Sequence, residues 1–306
     1  MTWLFVGGLA GCVTLGIAIL FNRARFERQV AEEMRALATI PRSVVPFSTA
    51  ADLPAPVARY RELAVGARRP VRMLKMRHSG TFCTSPTSKA VAIQGTQLFT
   101  ADPPGFVWTG RIRMAPGVWI DARDMAVAGE GSMRVLLGDT VTLVDARGSE
   151  LDQGSGLRLL AEMVWYPTSL FDSRSVTWSA IDADHARATL RFGERDVSGI
   201  FAFGPDGLPR EFTAERYNDK GELKSWGGVY REWRTVSGMQ VPFEADVSWQ
   251  LEGGPYTYAR WRVDTMDFDI GQEADNARRI DSGSSMSKSR VASGVAASRP
   301  RWHRSG

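Results

Sequence analysis

From Thr2 to Phe21 no side chain is charged, and Arg23, Arg25 and Arg28 follow at once. A helix of about twenty residues rises about 30 Å, the thickness of a bilayer's hydrocarbon core, so the run predicts a transmembrane helix over residues 1–21. A cleaved signal peptide needs a basic stretch ahead of its apolar run, and here only the amino terminus is positive. Leu9-Ala10-Gly11-Cys12 looks like a lipoprotein signal, but cleavage there would leave Val13 to Phe21 as an apolar stub. On this reading the protein is a single-pass protein of the cell membrane. The arginines after the span favour a cytoplasmic soluble domain. The acids Glu27, Glu32 and Glu33 dilute that charge, and the opposite orientation stays open.

Residues 22–52 read as a juxtamembrane helix and a linker carrying Pro41 and Pro46. Leu53-Pro54-Ala55-Pro56 opens a short helix, because proline's missing N–H costs nothing in a first turn. Val57, Tyr60, Leu63 and Ala64 fall on one face of it. From about Val71 to Phe268 the period switches to two. Val241, Phe243, Ala245, Val247, Trp249 and Leu251 alternate with polar residues, Pro242 apart, and Val197, Gly199, Phe201 and Phe203 repeat the pattern. Such alternation marks strands with one buried and one wet face. Phe106, Trp108, Ile112 and Met114 mark another strand, with Thr109, Arg111 and Arg113 on its opposite face. Gly204-Pro205-Asp206-Gly207, Asn218-Asp219-Lys220-Gly221 and Glu252-Gly253-Gly254-Pro255 are turn signals between strands. About a dozen strands with short connections predict a mainly β domain over residues 53–270, a curved antiparallel meander closing into a half-barrel or barrel.

One stretch breaks the rhythm. Leu157, Leu160, Ala161 and Val164 share a helical face, Ser155 can cap the helix, and Pro167 stops it. A lone apolar helix within a meander predicts a lid or plug on the concave side of the sheet.

Composition changes the picture in three places. The net charge of +4 invites a nucleic-acid reading. The excess lies in residues 271–306, rich in Ser, Gly and Ala, which predict a disordered basic tail rather than a basic face, so no nucleic-acid partner is expected. Cys12 and Cys83 cannot form a disulfide within the soluble part, so cysteine usage tells nothing of compartment. His78, His185 and His303 lie far apart with no zinc-like spacing, and no metal or cofactor is expected.

Several segments look familiar. These are Leu53-Pro54-Ala55-Pro56-Val57-Ala58-Arg59-Tyr60, Pro104-Gly105-Phe106-Val107-Trp108, Arg111-Ile112-Arg113-Met114-Ala115-Pro116, Gly129-Glu130-Gly131-Ser132-Met133-Arg134 and Leu159-Leu160-Ala161-Glu162-Met163-Val164-Trp165-Tyr166-Pro167-Thr168. Together, over residues 50–270, they resemble a bacterial domain family of unknown function, some members of which carry an N-terminal membrane span. The resemblance brings no catalytic residues. Tyr230-Arg231-Glu232-Trp233 and Gly238-Met239-Gln240-Val241-Pro242-Phe243 also resemble carriers of the lipoprotein-sorting (LolA/LolB) type. That likeness implies a curved sheet around an apolar cavity with helices as a lid.

No nucleophile elbow and no phosphate-binding loop are present. Gly129-Glu130-Gly131 imitates the start of a dinucleotide motif without the third glycine, and a hairpin turn fits better. Arg158 and Glu162 lie four apart on the plug helix and can pair. As a plain ion pair they need no function; with Glu162 facing the cavity and Arg111 or Arg113 reaching it from the sheet, they could orient a polar head group. Trp108, Trp165, Tyr166, Phe201, Phe203 and Trp249 either line an apolar pocket or form an aromatic core. Asp121, Arg123 and Asp124 read as surface ion pairs, and His185 beside Asp184 as part of a turn. The expectation is non-catalytic binding of a lipid or other apolar ligand next to the bilayer, with Trp108, Arg111, Arg113, Arg158, Glu162, Trp165 and Tyr166 as candidate ligand residues. The alternatives are an enzyme on a lipophilic substrate with Glu162 as acid or base, and a structural domain with no cavity.

Overall fold

The computed structural model describes residues 2–40, 52–65 and 70–268, with side chains on the first helix from residue 14 onward, Leu15 excepted. Helices α1 (Thr2–Thr39) and α2 (Ala55–Ala64) precede six strands: β1 (Met73–Phe82), β2 (Val91–Ala101), β3 (Pro104–Ala115), β4 (Val118–Val127), β5 (Glu130–Leu137) and β6 (Val141–Arg147). Helix α3 (Ser149–Glu162) and two short 3-10 turns (Met163–Trp165 and Pro167–Phe171) follow. Seven strands complete the domain: β7 (Val176–Ala180), β8 (His185–Phe192), β9 (Arg195–Phe203), β10 (Pro209–Tyr217), β11 (Leu223–Val236), β12 (Met239–Leu251) and β13 (Gly254–Phe268). All thirteen lie in one sheet of order β6-β5-β4-β3-β2-β1-β13-β12-β11-β10-β9-β8-β7. Two meanders are thus joined at the centre, where β1 pairs antiparallel with β13 from Leu74–Phe268 to Phe82–Ala259.

The sheet is open but strongly curled. Strands β4 and β9, which flank the β4–β5 and β8–β9 turns, are separated by eight strand spacings, about 38 Å on a flat sheet. Yet a Cβ placed on Gly129 would lie 2.7 Å from the Cα of Gly193. Both residues have positive φ, +90° and +62°, so glycine is needed twice over, for backbone conformation and for clearance. The connection between the two edge strands, residues 148–175, has to cross the hollow. It fills it. Leu157, Leu160, Val164, Trp165, Leu170 and Phe171 are all buried, each contributing about 1.5–3 kcal/mol of apolar burial.

The plug differs locally from the sequence expectation. It starts at Ser149, not near Ser155, and Gly148 occupies its N-cap position. Gly154 and Ser155 are interior, buried helix residues. Their small size serves approach: a Cβ on Gly154 would meet the Arg216 Nε at 2.8 Å, and one on Gly131 of β5 would meet Ser155 Oγ at 2.5 Å. The Gly129-Glu130-Gly131 segment is a β4–β5 hairpin, as expected. On α2, Val57, Tyr60 and Ala64 are buried as the spacing predicts, while Leu63 is exposed.

Among the described residues no helix is long and apolar enough to cross a membrane. The single-pass placement in the cell membrane expected from residues 1–21 is corrected on that finding. The helix continues past residue 21, as expected, and runs to Thr39; the packing of its second half on the domain is not expected from the sequence. Phe26, Val30 and Leu37 bury against Leu98, Val107 and Leu136 on the outer face of the sheet. Glu33 pairs with Arg123 at 3.3 Å, and Arg134 donates to Gln29. Those side chains hold the helix to the domain. Residues 41–51 and 271–306, expected as linker and basic tail, lie outside the described residues.

If curling depends on the Gly129–Gly193 approach, Gly129→Ala should destabilise the fold by about 2–3 kcal/mol through backbone strain and overpacking. Urea unfolding should show a lower midpoint with an unchanged slope.

Candidate functional site

Side-chain parity sorts the candidate residues onto two faces. On β3, Phe106, Trp108 and Ile112 point into the cup, while Val107, Thr109, Arg111 and Arg113 point outward; successive strand residues alternate. The same parity brings Leu74, Met76 and His78 of β1 inward, together with Ile93, Gln97 and Phe99 of β2 and Asp124 of β4.

Arg158 of α3 descends onto this inner surface and is buried there. Its Nη1 donates to Asp124 Oδ2 at 2.6 Å and its Nε to Glu162 Oε1 at 2.9 Å. The guanidinium lies over the rings of Phe106 and Trp108, 4.7 and 5.3 Å from their centroids. Gln97 closes the circuit by donating to Glu162 Oε2 at 2.7 Å. Burial raises the Glu162 carboxyl above its ordinary range, against the opposing pull of Arg158 and Gln97. Beside it, Trp108 Nε1 donates to His78 Nε2 at 2.7 Å. Burial, aided by the Arg158 charge, pushes the His78 imidazole down to about 3, so it is neutral at physiological pH. Glycine makes room for the pair: a Cβ on Gly95 would strike both His78 and Trp108, and one on Gly110 would strike the Trp108 ring.

Where plug and sheet meet there remains a void of about 10 Å³, lined by Met76, His78, Gln97, Trp108, Arg158, Glu162, Trp165, Trp261 and Val263. That is room for about one water. Trp165 is otherwise engaged through Nε1 with the Pro242 carbonyl at 3.0 Å. Tyr166 packs on Phe99, ring centroids 5.0 Å apart. The structure thus brings Trp108, Arg158, Glu162 and Trp165 together around one point and sets Tyr166 in the adjoining core.

Arg111 and Arg113 are elsewhere. Arg111 makes two bonds to Asp121, at 2.7 and 2.9 Å, on the outer face, with Asp139 beyond. Arg113 lines an outer groove of about 470 Å³ with Arg23, Met114, Val118 and Trp119. Neither reaches Glu162; the sheet residues that do so, directly or through Arg158, are Gln97 and Asp124. Asp121, Arg123 and Asp124 are not surface ion pairs: all three are buried, Asp121 and Arg123 under the outer face and Asp124 in the cup. His185 sits at a turn, its ring against Asp182 at 2.8 Å rather than Asp184. His78, Gln97, Asp124 and Trp261 were missed as site residues. The signal was present for two of them, since Leu74-Met76-His78 and Ile93-Gln97-Phe99 hold inward parity.

These features define a class: a curled antiparallel sheet plugged by its own connecting helix, with an ionic cluster at the seam. The chain belongs to a family of unknown function (DUF6544), whose model matches residues 43–261. No curated protein matches it. Among solved structures it is similar to a DUF1329 family protein from Desulfovibrio piger, at 12% identity over 66% of this chain and 87% of that one, with a TM-score of 0.39. A putative outer membrane lipoprotein-sorting protein domain from Vibrio parahaemolyticus is similar at 9% identity over 65% and 86%, TM-score 0.37. A LolA superfamily protein from Nitrosomonas europaea is similar at 10% identity over 71% and 94%, TM-score 0.37. At these scores none of them transfers a ligand or an activity to this chain.

Two outcomes follow from the ionic geometry. Asp124→Ala leaves Arg158 buried with Glu162 as its remaining carboxylate and should cost about 3–5 kcal/mol in urea unfolding. Removing the exposed Asp206 partner of Arg210 should cost less than about 1 kcal/mol. On the outer face, burial and the adjacent Asp121 raise Asp139 to about 6. Its folded value lies above the ordinary one, so the native state holds the proton more tightly, and this contribution is lost as pH rises from about 4 through 6. The stability of the wild type minus that of Asp139→Asn should therefore fall between pH 4.5 and 7.

Proposed function

We propose that the domain is a non-catalytic holder of an apolar ligand, taken into the cup when the plug of α3 and residues 163–171 moves aside. The observation that carries this reading is the quality of the seam. A plug that served only as core would be expected to satisfy its polar atoms. Here Ser155 Oγ and Tyr166 Oη of the plug, and His78 Nδ1 and Asp124 Oδ1 of the sheet surface facing it, are buried without a hydrogen-bond partner. Each such atom costs about 1–3 kcal/mol. The Arg158 cluster adds little net stability, since the desolvation of a buried ion pair offsets its attraction. These costs offset part of the apolar burial that holds the plug in the cup. Behind the plug lies an inner surface rich in aromatic side chains, Phe99, Phe106, Trp108 and Trp261, suited to an aliphatic or aromatic guest.

A second reading is favoured by a different observation. The void of about 10 Å³ admits no ligand as it stands, which suits a structural domain with a filled core. One experiment separates the two. A Cβ on Gly131 would lie 3.0 Å from the Cβ of Ser155 and 2.9 Å from the Leu151 carbonyl oxygen, so a disulfide there needs α3 to move back by about half an ångström or more. In the full chain carrying Gly131→Cys and Ser155→Cys, with Cys12→Ser and Cys83→Ser, oxidation should tie α3 to β5. Uptake of a fluorescent palmitoyl probe should be lost on oxidation and restored by a reducing agent. Equal uptake in both states, or none in the unlocked wild type, would favour the structural domain.

A further inference from the structure

We infer that the ligand the cup accepts is a neutral apolar molecule bearing one acceptor oxygen, such as a fatty ester, rather than a free carboxylate or phosphate. This rests on the holding role proposed above and names the ligand's chemistry. Two observations carry it.

The first is a buried donor with nothing to donate to. Trp108 Nε1–H donates to His78 Nε2, so that nitrogen is the acceptor and the neutral ring keeps its proton on Nδ1. His78 is 4% exposed, and its Nδ1 has no hydrogen-bond partner. The ring lines the void between plug and sheet. Trp261 stands edge-on to it, centroids 4.6 Å apart, and offers a π-face at best. An acceptor oxygen brought within reach of Nδ1 would satisfy this donor; a hydrocarbon would not.

The second is the charge balance. Of the residues lining the void, only Arg158 carries a positive charge. It is already bonded to two carboxyls, Asp124 and Glu162. In the closed state the cluster leaves no free cation among the residues lining the void. When the plug moves aside, Arg158 and Glu162 leave with α3, and Asp124, which stays on the inner face of β4, repels an anion. Either way a buried carboxylate or phosphate keeps its full desolvation penalty. A neutral oxygen escapes it.

The test compares three probes of equal chain length on the full protein at about pH 8: sodium laurate, methyl laurate and dodecane. Each is measured by quenching or displacement of a bound fluorescent acyl probe. Methyl laurate should bind at least about tenfold more tightly than laurate. His78→Phe should weaken methyl laurate about tenfold and dodecane less than about twofold. Laurate binding as tightly as its ester, or a His78→Phe protein that treats ester and dodecane alike, overturns this inference and leaves the holding role intact. Failure of all three probes to bind overturns the holding role, and this inference with it. Should His78→Phe not fold, the wild-type ranking of ester against acid decides alone.

Discussion

The structure turns on one topological constraint. The sheet has two free edges, β6 and β7, and the chain must pass from one to the other. Because the sheet curls until the Gly129 and Gly193 turns meet, the shorter way across lies over the hollow. Whatever sequence makes that crossing is forced to become the filling of the cup. Its apolar face follows from this, and so does the pairing of each part of the plug with strands from both halves. In a domain built this way the connector itself covers the hollow.

The same constraint explains why charge is found at the centre of the core. A helix crossing a wide concave surface meets polar as well as apolar strand residues there, Gln97 and Asp124 among them. Arg158 is pinned on one side by Asp124 of the sheet and on the other by Glu162 of its own helix, with Gln97 bridging back. Such a cluster adds little stability and much definition, as it is satisfied in one seating of the helix. It also leaves a seam, and the seam holds the unpaired His78 Nδ1 and a small void. The outer face follows another logic. There the second half of α1 covers β2 to β5 by ordinary apolar contact, and Arg111, Arg123 and Arg134 serve to fasten strands and helix.

Much of the architecture is legible in residue order. Period-two alternation along Val241–Leu251 and Val197–Phe203, turn signals at positive-φ glycines such as Gly207 and Gly221, and the apolar helix before Pro167 determine a curled meander with a plug. Parity, carried through, also separates Trp108 from Arg111 and Arg113, and their expected meeting with Glu162 contradicted the alternation already visible on β3. Three things were not legible. The start of α3 was hidden because Gly154 and Gly156 look like a helix boundary, when they are points of close approach to Arg216 and Phe192. The burial of Asp121, Arg123 and Asp124 depends on α1 and α3 covering opposite faces of the same strand, and no local pattern announces that. The apolar run of residues 2–21 resembled a span by composition alone, whereas its continuation through Phe26, Val30 and Leu37 is a docking face.

Holding a ligand in the cup requires that the plug can leave while the sheet stays folded. Amide hydrogen exchange on the full chain measures this directly, because segments that open locally exchange at lower free energy than those needing global unfolding. Residues 157–171 should exchange well before the central strands β1, β2 and β13. Exchange of the plug and those strands at one common free energy would mean that plug and sheet unfold together, and would contradict the holding role.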